Sequence, residues 1–233
     1  WWEDNNLDWS VHNAMQGYDK VYTMQKIKGL EHLHMPMGCD KDIYSGYPLS
    51  VLTEQEKNQY GADVSFIGTL RDRGRLNLVE EFIKNLGNKE EGIKEFKIWG
   101  NGWQNTEYAR YYWMQKPAYF DEFVKVCSAS KIVINEHYAN SPNDKDFLIP
   151  CVGKALYIVD SNSLGTKQIY PMIPTFQNAK ECVELCKYYL TNEEERLKLV
   201  AEMQTIAYEY TYYNQFKKIA KELNIGNENA RSL

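Results

Sequence analysis

The chain has 233 residues, 43% of them hydrophobic and 25% charged, with a formal net charge of -5 at pH 7. That length and composition can bury a real core, in one large or two small domains, and exclude a chain too polar to fold. The acidic balance, with a pI near 5.5, gives no electrostatic reason to expect nucleic acid or an anionic membrane as partner, although local basic clusters can hold a phosphate.

In chain order, Val11 to Gln16 reads as helical, and Lys20 to Thr23 and His32 to Met35 read as short strands followed by polar turns. Pro36, Gly38, Cys39, Asp40 and then Tyr47-Pro48 mark the exit from a first unit. Ser50 to Tyr60 is expected to be a surface helix or connector. From Ala62 the pattern becomes regular. Val64 to Gly68 is a strand, and Leu76 to Leu86 is an amphipathic helix whose Leu76, Leu78, Val79, Phe82, Ile83 and Leu86 lie close to 3.6 spacing, with Gly87 as its C-cap. Phe96 to Trp99 is the next strand, closed by Gly100-Asn101-Gly102, and Tyr119 to Cys127 is a helix.

The segment from Ser130 to Asp160 carries two short unbroken apolar runs, Ile132 to Ile134 and Ala155 to Val159, as in strands covered on both faces. Between them lie a charged loop and a compact helix ending near Gly153. A strand is predicted at Ile173 to Phe176, a helix over Ala179 to Leu190, and a long helix from Asn192 towards Leu223. Thr191 and Glu194 fit the capping box of that last helix. Alternating strands and helices predict an α/β, doubly wound parallel sheet, with residues 1–48 as a first unit, 49–61 as a linker and 62–233 as the main domain.

No run of about 18 apolar residues and no charged-then-apolar leader is present, so neither a spanning helix nor a signal peptide is expected. The five cysteines, an odd number without dense spacing, point to reduced thiols and a cytoplasmic compartment. Cys182 and Cys186, four apart on a helix, are expected to pack in the core. The start at Trp1 suggests a piece of a longer chain.

Four stretches can carry chemistry. In FIGTLRDRGR, the turn Gly68-Thr69 and Arg71, Arg73 and Arg75 precede a helix, where free N–H groups, the helix dipole and arginine forks suit a phosphate; solvated arginines are the plain alternative. It is neither a P-loop nor a dinucleotide fingerprint. In KIWGNGWQ, Gly100, Asn101 and Gly102 allow close backbone approach and Trp103 can stack on a ring, or simply pack. His32 and His34 share a strand face without a nearby carboxylate or cysteine, so no metal is expected. Around the loop after Ile134, Glu136, His137, Asp144 and Lys145 can meet sugar hydroxyls and phosphate, since ligands of open α/β sheets sit outside the carboxyl ends of the strands. No Ser-His-Asp or Cys-His order favours a hydrolase.

The order DVSFIGTLRDRGR, FKIWGNGW, FDEFVKVCSASKIVINEH and NDKDFLIPCVGKALYIVD resembles the nucleotide-binding half of GT-B glycosyltransferases, within the group 1 branch that includes spore-maturation-like proteins. The family pattern N-x-R-x-F-E-x-P-x-x-G is met by Asn143, Phe147, Pro150 and Gly153, with Lys145 in place of the arginine. The stretches WWEDN, YDKVYT and HMPMGCDKDIY resemble the end of the acceptor-side half, which assigns residues 1–48 to that half and 62–233 to the donor half.

The resemblance implies a metal-independent transferase, or part of one. It would move a sugar from a nucleoside-diphosphate sugar, which serves as co-substrate with no further cofactor, to an unknown glycan, protein or lipid acceptor. On that basis Gly68, Thr69, Arg71, Arg73 and Arg75 face the diphosphate, Gly100 to Trp103 the base side, and Glu136, His137, Asp144 and Lys145 the sugar and ribose. The family glutamate expected to hold the ribose falls on Leu148, which cannot accept a hydrogen bond. That departure keeps a second reading open, a binding or assembly module that retains the fold without the chemistry.

Overall fold

The apolar runs become parallel strands because helices cover both of their faces. The structure is a computed structural model and describes residues 22–23, 33–34, 37–87, 92–137 and 142–223. Two short strands, β1 (Tyr22–Thr23) and β2 (Leu33–His34), pair in parallel. The expected helix over Val11 to Gln16, and His32 of the histidine pair, lie outside the described residues. The main sheet holds β3 (Ala62–Ile67), β4 (Phe96–Trp99), β5 (Ser130–Asn135), β6 (Leu156–Asp160) and β7 (Thr175–Phe176), all parallel, in the order β4-β3-β5-β6-β7.

Eight helices are described: α1 (Glu54–Tyr60), α2 (Arg73–Lys84), α3 (Asp121–Ala129), α4 (Lys145–Val152), α5 (Leu164–Ile169), α6 (Ala179–Thr191), α7 (Glu193–Glu209) and α8 (Tyr212–Glu222). Among them α2 packs with α6, α4 packs with α3 and α7, α1 with α3, and α6 with α7. The chain moves from β3 out to β4 and then returns to place β5 on the other side of β3, and the right-handed rule for parallel crossovers puts the helices of these two connections on opposite faces. The core between them is closely filled, with Val64, Phe66, Ile98, Ile132, Val133, Leu156 and Ile158 fully buried. Among the described residues no helix is long and apolar enough to cross a membrane.

Local chemistry sets the helix ends, and it corrects three expectations. The helix after β3 starts at Arg73, three residues before its apolar periodicity, because Asp72 caps it by accepting from Arg75 N. Its C-cap is Asn85 and not Gly87, although Gly87 does take a positive φ of 73°. Thr191 and Glu194 form no capping box: Thr191 is still the last residue of α6, and its hydroxyl donates back to Lys187 O. A capping box does form at Thr53 and Glu56, ahead of α1.

The expected single helix from Asn192 is two helices with a bend at Tyr210–Thr211. Backbone hydrogen bonds leave the helix there, since Cys39 N donates to Tyr210 O and Tyr212 N donates to Cys39 O. Thr211 then caps α8 by accepting from Asn214 N. The stretch before the sheet is likewise tied down, with Tyr47 OH on Asp121 at 2.6 Å and Tyr47 N on Ser128 Oγ at 2.9 Å. All five cysteines are free and buried, Cys182 and Cys186 within the core as expected.

Candidate functional site

Three consecutive residues at the carboxyl end of β5 and just beyond it turn to three different tasks. Asn135 faces Lys145, Glu136 faces the arginines of α2 and its approach, and His137 faces two buried aspartates. They stand beside β3, where the strand order reverses, which is the place an open α/β sheet leaves a crevice.

His137 is held on every side. Its Nδ1 lies 2.9 Å from Asp160 Oδ1, its Nε2 lies 2.9 Å from both carboxylate oxygens of Asp146, and its backbone N–H donates to Asp160 Oδ1 at 2.8 Å. Burial opposes a charge on this ring, but the hydrogen bonds to Asp146 and Asp160 outweigh it and raise the imidazole to about 9, so it is an imidazolium at neutral pH. Asp146 also accepts from Asn143 N at 2.6 Å and from Tyr157 OH at 2.8 Å. Histidine supplies two donors on opposite sides of one ring, which is what two facing carboxylates require. With its side chain 1% exposed, His137 is a structural clamp joining β5, α4 and the end of β6, turned into the protein and not among the residues that line the cleft.

Arg75 is similarly committed. It is 6% exposed, donates through Nε to Glu136 Oε2 at 3.2 Å, through one terminal nitrogen to Thr69 O at 2.9 Å and through the other to Glu136 O at 3.0 Å. Burial pushes the Glu136 carboxyl up, against the pull of Arg75. Arg75 therefore shapes the turn after β3 and ties it to the end of β5. Arg71 stays at the surface, bonded to Asp72 and 3.7 Å from Glu136.

Between these two arrangements lies a cleft of about 290 Å³, lined by Ile67, Gly68, Thr69, Trp99, Gly100, Tyr44, Pro117 to Phe120, Phe123, Asp144, Lys145 and Leu148. Its floor is the carboxyl ends of β3 and β4. The two exits are zipped together by Gly68 N to Trp99 O and Leu70 N to Asn101 O. Gly100 is required there: its φ is 147°, and a Cβ would lie 2.2 Å from Gly68 O. One wall is the start of α4, with Asp144 exposed, Lys145 half-buried and Leu148 contributing apolar surface. Burial, followed by the charge of Arg75, lowers the Lys145 ammonium to about 8. The opposite rim carries Tyr119 and Phe120, 61% and 71% exposed. Phe120 holds φ 47° and ψ -116°, backbone strain on the order of 1–3 kcal/mol of the kind that gathers at ligand sites. A cation, a glycine-containing turn, a carboxylate and two open aromatic faces can together take an anion joined to a flat ring and hydroxyls.

Of the residues expected from sequence, Gly68, Thr69, Gly100, Asp144 and Lys145 come together in the cleft. Asn101 and Gly102 are in the adjoining turn without lining it. Trp103 is fully buried and its indole N–H donates to Gly68 O at 2.8 Å, so it braces the turn from below and cannot stack on a ligand. Arg73 is exposed in the first turn of α2, outside the cleft. Tyr44, Tyr119 and Phe120 were not singled out by sequence; the signal for the rim was two large aromatics directly before an acidic helix start, a pattern open to many readings. Among the described residues no group of three or more His, Cys, Asp or Glu side chains is placed to hold a metal ion.

A family model described as glycosyl transferase-like matches residues 71–221. A search of curated proteins found no match. Among solved structures, HepE from Anabaena in complex with UDP and glucose aligns with a TM-score of 0.62 at 11% identity, covering 83% of this chain and 57% of that one. TarM aligns at 0.63 and 10% identity, covering 93% of this chain and 45% of that one. A glycosyltransferase from Rickettsia africae ESF-5 aligns at 0.64 and 12% identity, covering 98% of this chain and 69% of that one. At such identities the likeness is one of fold, the GT-B fold, and this chain spans a little over half the length of HepE.

Proposed function

The chain belongs to the glycosyl transferase-like family, and we propose that it binds a nucleoside-diphosphate sugar and takes part in moving that sugar to an acceptor. The observation that carries this reading is the cleft itself, an anion-ready pocket at the sheet's reversal point with a flat aromatic rim. HepE, similar in fold, has been seen with UDP and with UDP-glucose. Lys145 and the Gly68-Thr69 turn would meet the diphosphate, Tyr119 and Phe120 the base, and Asp144 the sugar or ribose hydroxyls. A fixed cation aimed at the departing diphosphate stabilises the charge that develops there, so the transfer needs no metal.

The order of the sequence blocks supports placement in the spore-maturation-protein-like branch. Five free, buried thiols accord with a reducing compartment, for which we propose the cytoplasm. The second reading, a module that binds without transferring, rests on Leu148, which presents an apolar wall where a hydrogen-bond acceptor would hold ribose. Calorimetry with uridine, guanosine and thymidine diphosphate sugars, followed by assays of donor hydrolysis and transfer, separates the cases. Binding by none of them sinks the transferase reading; turnover of any donor sinks the binding-module reading.

A further inference from the structure

Lys145 is not placed by packing alone. Behind it, on two neighbouring parallel strands, Asn135 at the carboxyl end of β5 and Tyr157 near the start of β6 are 1% and 0% exposed, polar groups set within an apolar sheet. Burying them is unfavourable unless each finds a partner, and each does. The Tyr157 hydroxyl lies 2.8 Å from Asp146 Oδ1 and 2.9 Å from Asn135 Nδ2, while Asn135 Oδ1 lies 3.4 Å from Lys145 Nζ.

The directions of these bonds follow from the groups involved. The Asp146 carboxylate, facing the His137 imidazolium and the Asn143 N–H, is an acceptor, so it takes the single proton of Tyr157. The tyrosine oxygen then accepts from Asn135 Nδ2, and the other end of the amide, its carbonyl oxygen, is left facing Lys145. Turned the other way, the amide would present N–H groups to an ammonium and repel it. The chain from His137 through Asp146 and Tyr157 thus selects one of two amide orientations.

We infer that Asn135, oriented by Tyr157, is a positioning residue for the cleft, fixing where Lys145 presents its ammonium to a bound diphosphate. This rests on the proposed reading of the cleft as a nucleotide-sugar site. The lysine amine sits among opposing influences: burial most of all, then Arg75 and Arg71 from the helix after β3 and the turn before it, disfavour its charge, Asp144 and Asp146 at the start of its own helix favour it, and Cys127 of α3 lies within its field. An amide carbonyl turned towards it adds to the favourable side, so the protonation of Lys145 reports the orientation of Asn135.

The test is the titration of Lys145 in the full, ligand-free chain, followed by carbon-13 NMR of labelled lysine and assigned by the signal missing in Lys145→Arg. Tyr157→Phe frees the amide and should move the midpoint to lower pH. Asn135→Asp puts a carboxylate in the same place and should move it to higher pH. A role confined to stability would lower the unfolding midpoint of both variants and leave the Lys145 midpoint where it is in the wild type, and that result overturns the inference. Should the aspartate variant not fold, the downward shift in Tyr157→Phe decides alone. In a parallel titration with uridine diphosphate at pH 7, Tyr157→Phe should bind at least about threefold more weakly, the same affinity as wild type counting against the inference. Failure of the wild type to bind any nucleoside diphosphate would sink the functional reading, while the lysine titration still tests Asn135.

Discussion

Helix α4 has two sides that solve opposite problems. On the inner side, Asp146 meets His137, Tyr157 and Asn143, and every charge has a partner at hydrogen-bond distance. On the outer side, Asp144, Lys145 and Leu148 line an open cleft, where the lysine ammonium makes a long hydrogen bond to Asn135. One face is closed and stabilises the fold; the other holds a cation in a place that lowers its own ionisation. A half-buried charge held by a long hydrogen bond adds little to stability and suits an anion that arrives later. The two faces should therefore respond differently to mutation and to pH.

The largest effect belongs to the inner face. His137→Leu leaves Asp146 and Asp160 buried without their shared cation, and should destabilise by about 3–5 kcal/mol in urea unfolding. The imidazole is raised in the folded state from 6.5 to about 9. The wild-type clamp should accordingly contribute in full below pH 6.5 and fade as the pH rises to about 9, a decline the variant should lack. Equal stability of the two proteins across that window would show that the clamp is not charged.

Next comes the floor of the cleft. Gly100→Ala forces a Cβ to within 2.2 Å of Gly68 O, and the β3 and β4 exits must separate. A loss on the order of 2 kcal/mol is expected in the same assay, together with weakened uridine diphosphate binding.

The outer face separates binding from stability. Lys145→Met should weaken nucleoside diphosphate binding by about 1.5–3 kcal/mol, as for a lost charged hydrogen bond. It should not destabilise the fold, because the wild-type ammonium is depressed from 10.5 to about 8 and so costs stability while charged. The sign is opposite to that of His137: wild-type stability attributable to Lys145 rises as pH goes from about 8 to 10.5. The smallest effect is at Arg73, which is exposed and outside the cleft. Arg73→Ala should stay within about 0.5 kcal/mol in stability, with diphosphate affinity unchanged in calorimetry.

The same contrast explains what the sequence made legible. The strands were, because Ile132 to Ile134 and Ala155 to Val159 are short unbroken apolar runs, as strands covered on both faces are. Gly100 and Lys145 were also visible as site residues, one for backbone freedom and one for charge at a helix start. His137, Arg75 and Trp103 were visible as polar or aromatic groups near strand ends, yet their side chains point into the protein. Residue type at a strand end does not say which way a side chain turns; that depends on partners such as Asp160, which lies 23 residues away from His137. The bend at Thr211 was hidden for a related reason, since its cause is the backbone of Cys39, far earlier in the chain.

The most direct test of the cleft is calorimetry of nucleoside diphosphate binding at pH 7 and pH 9.5, wild type beside Lys145→Met, using whichever of the uridine, guanosine and thymidine diphosphates binds best. Wild type should bind at pH 7 and more weakly at pH 9.5, and the variant should bind weakly and alike at both. Equal affinity of the two proteins at pH 7 would contradict the account, because the cleft would then hold no anion through Lys145.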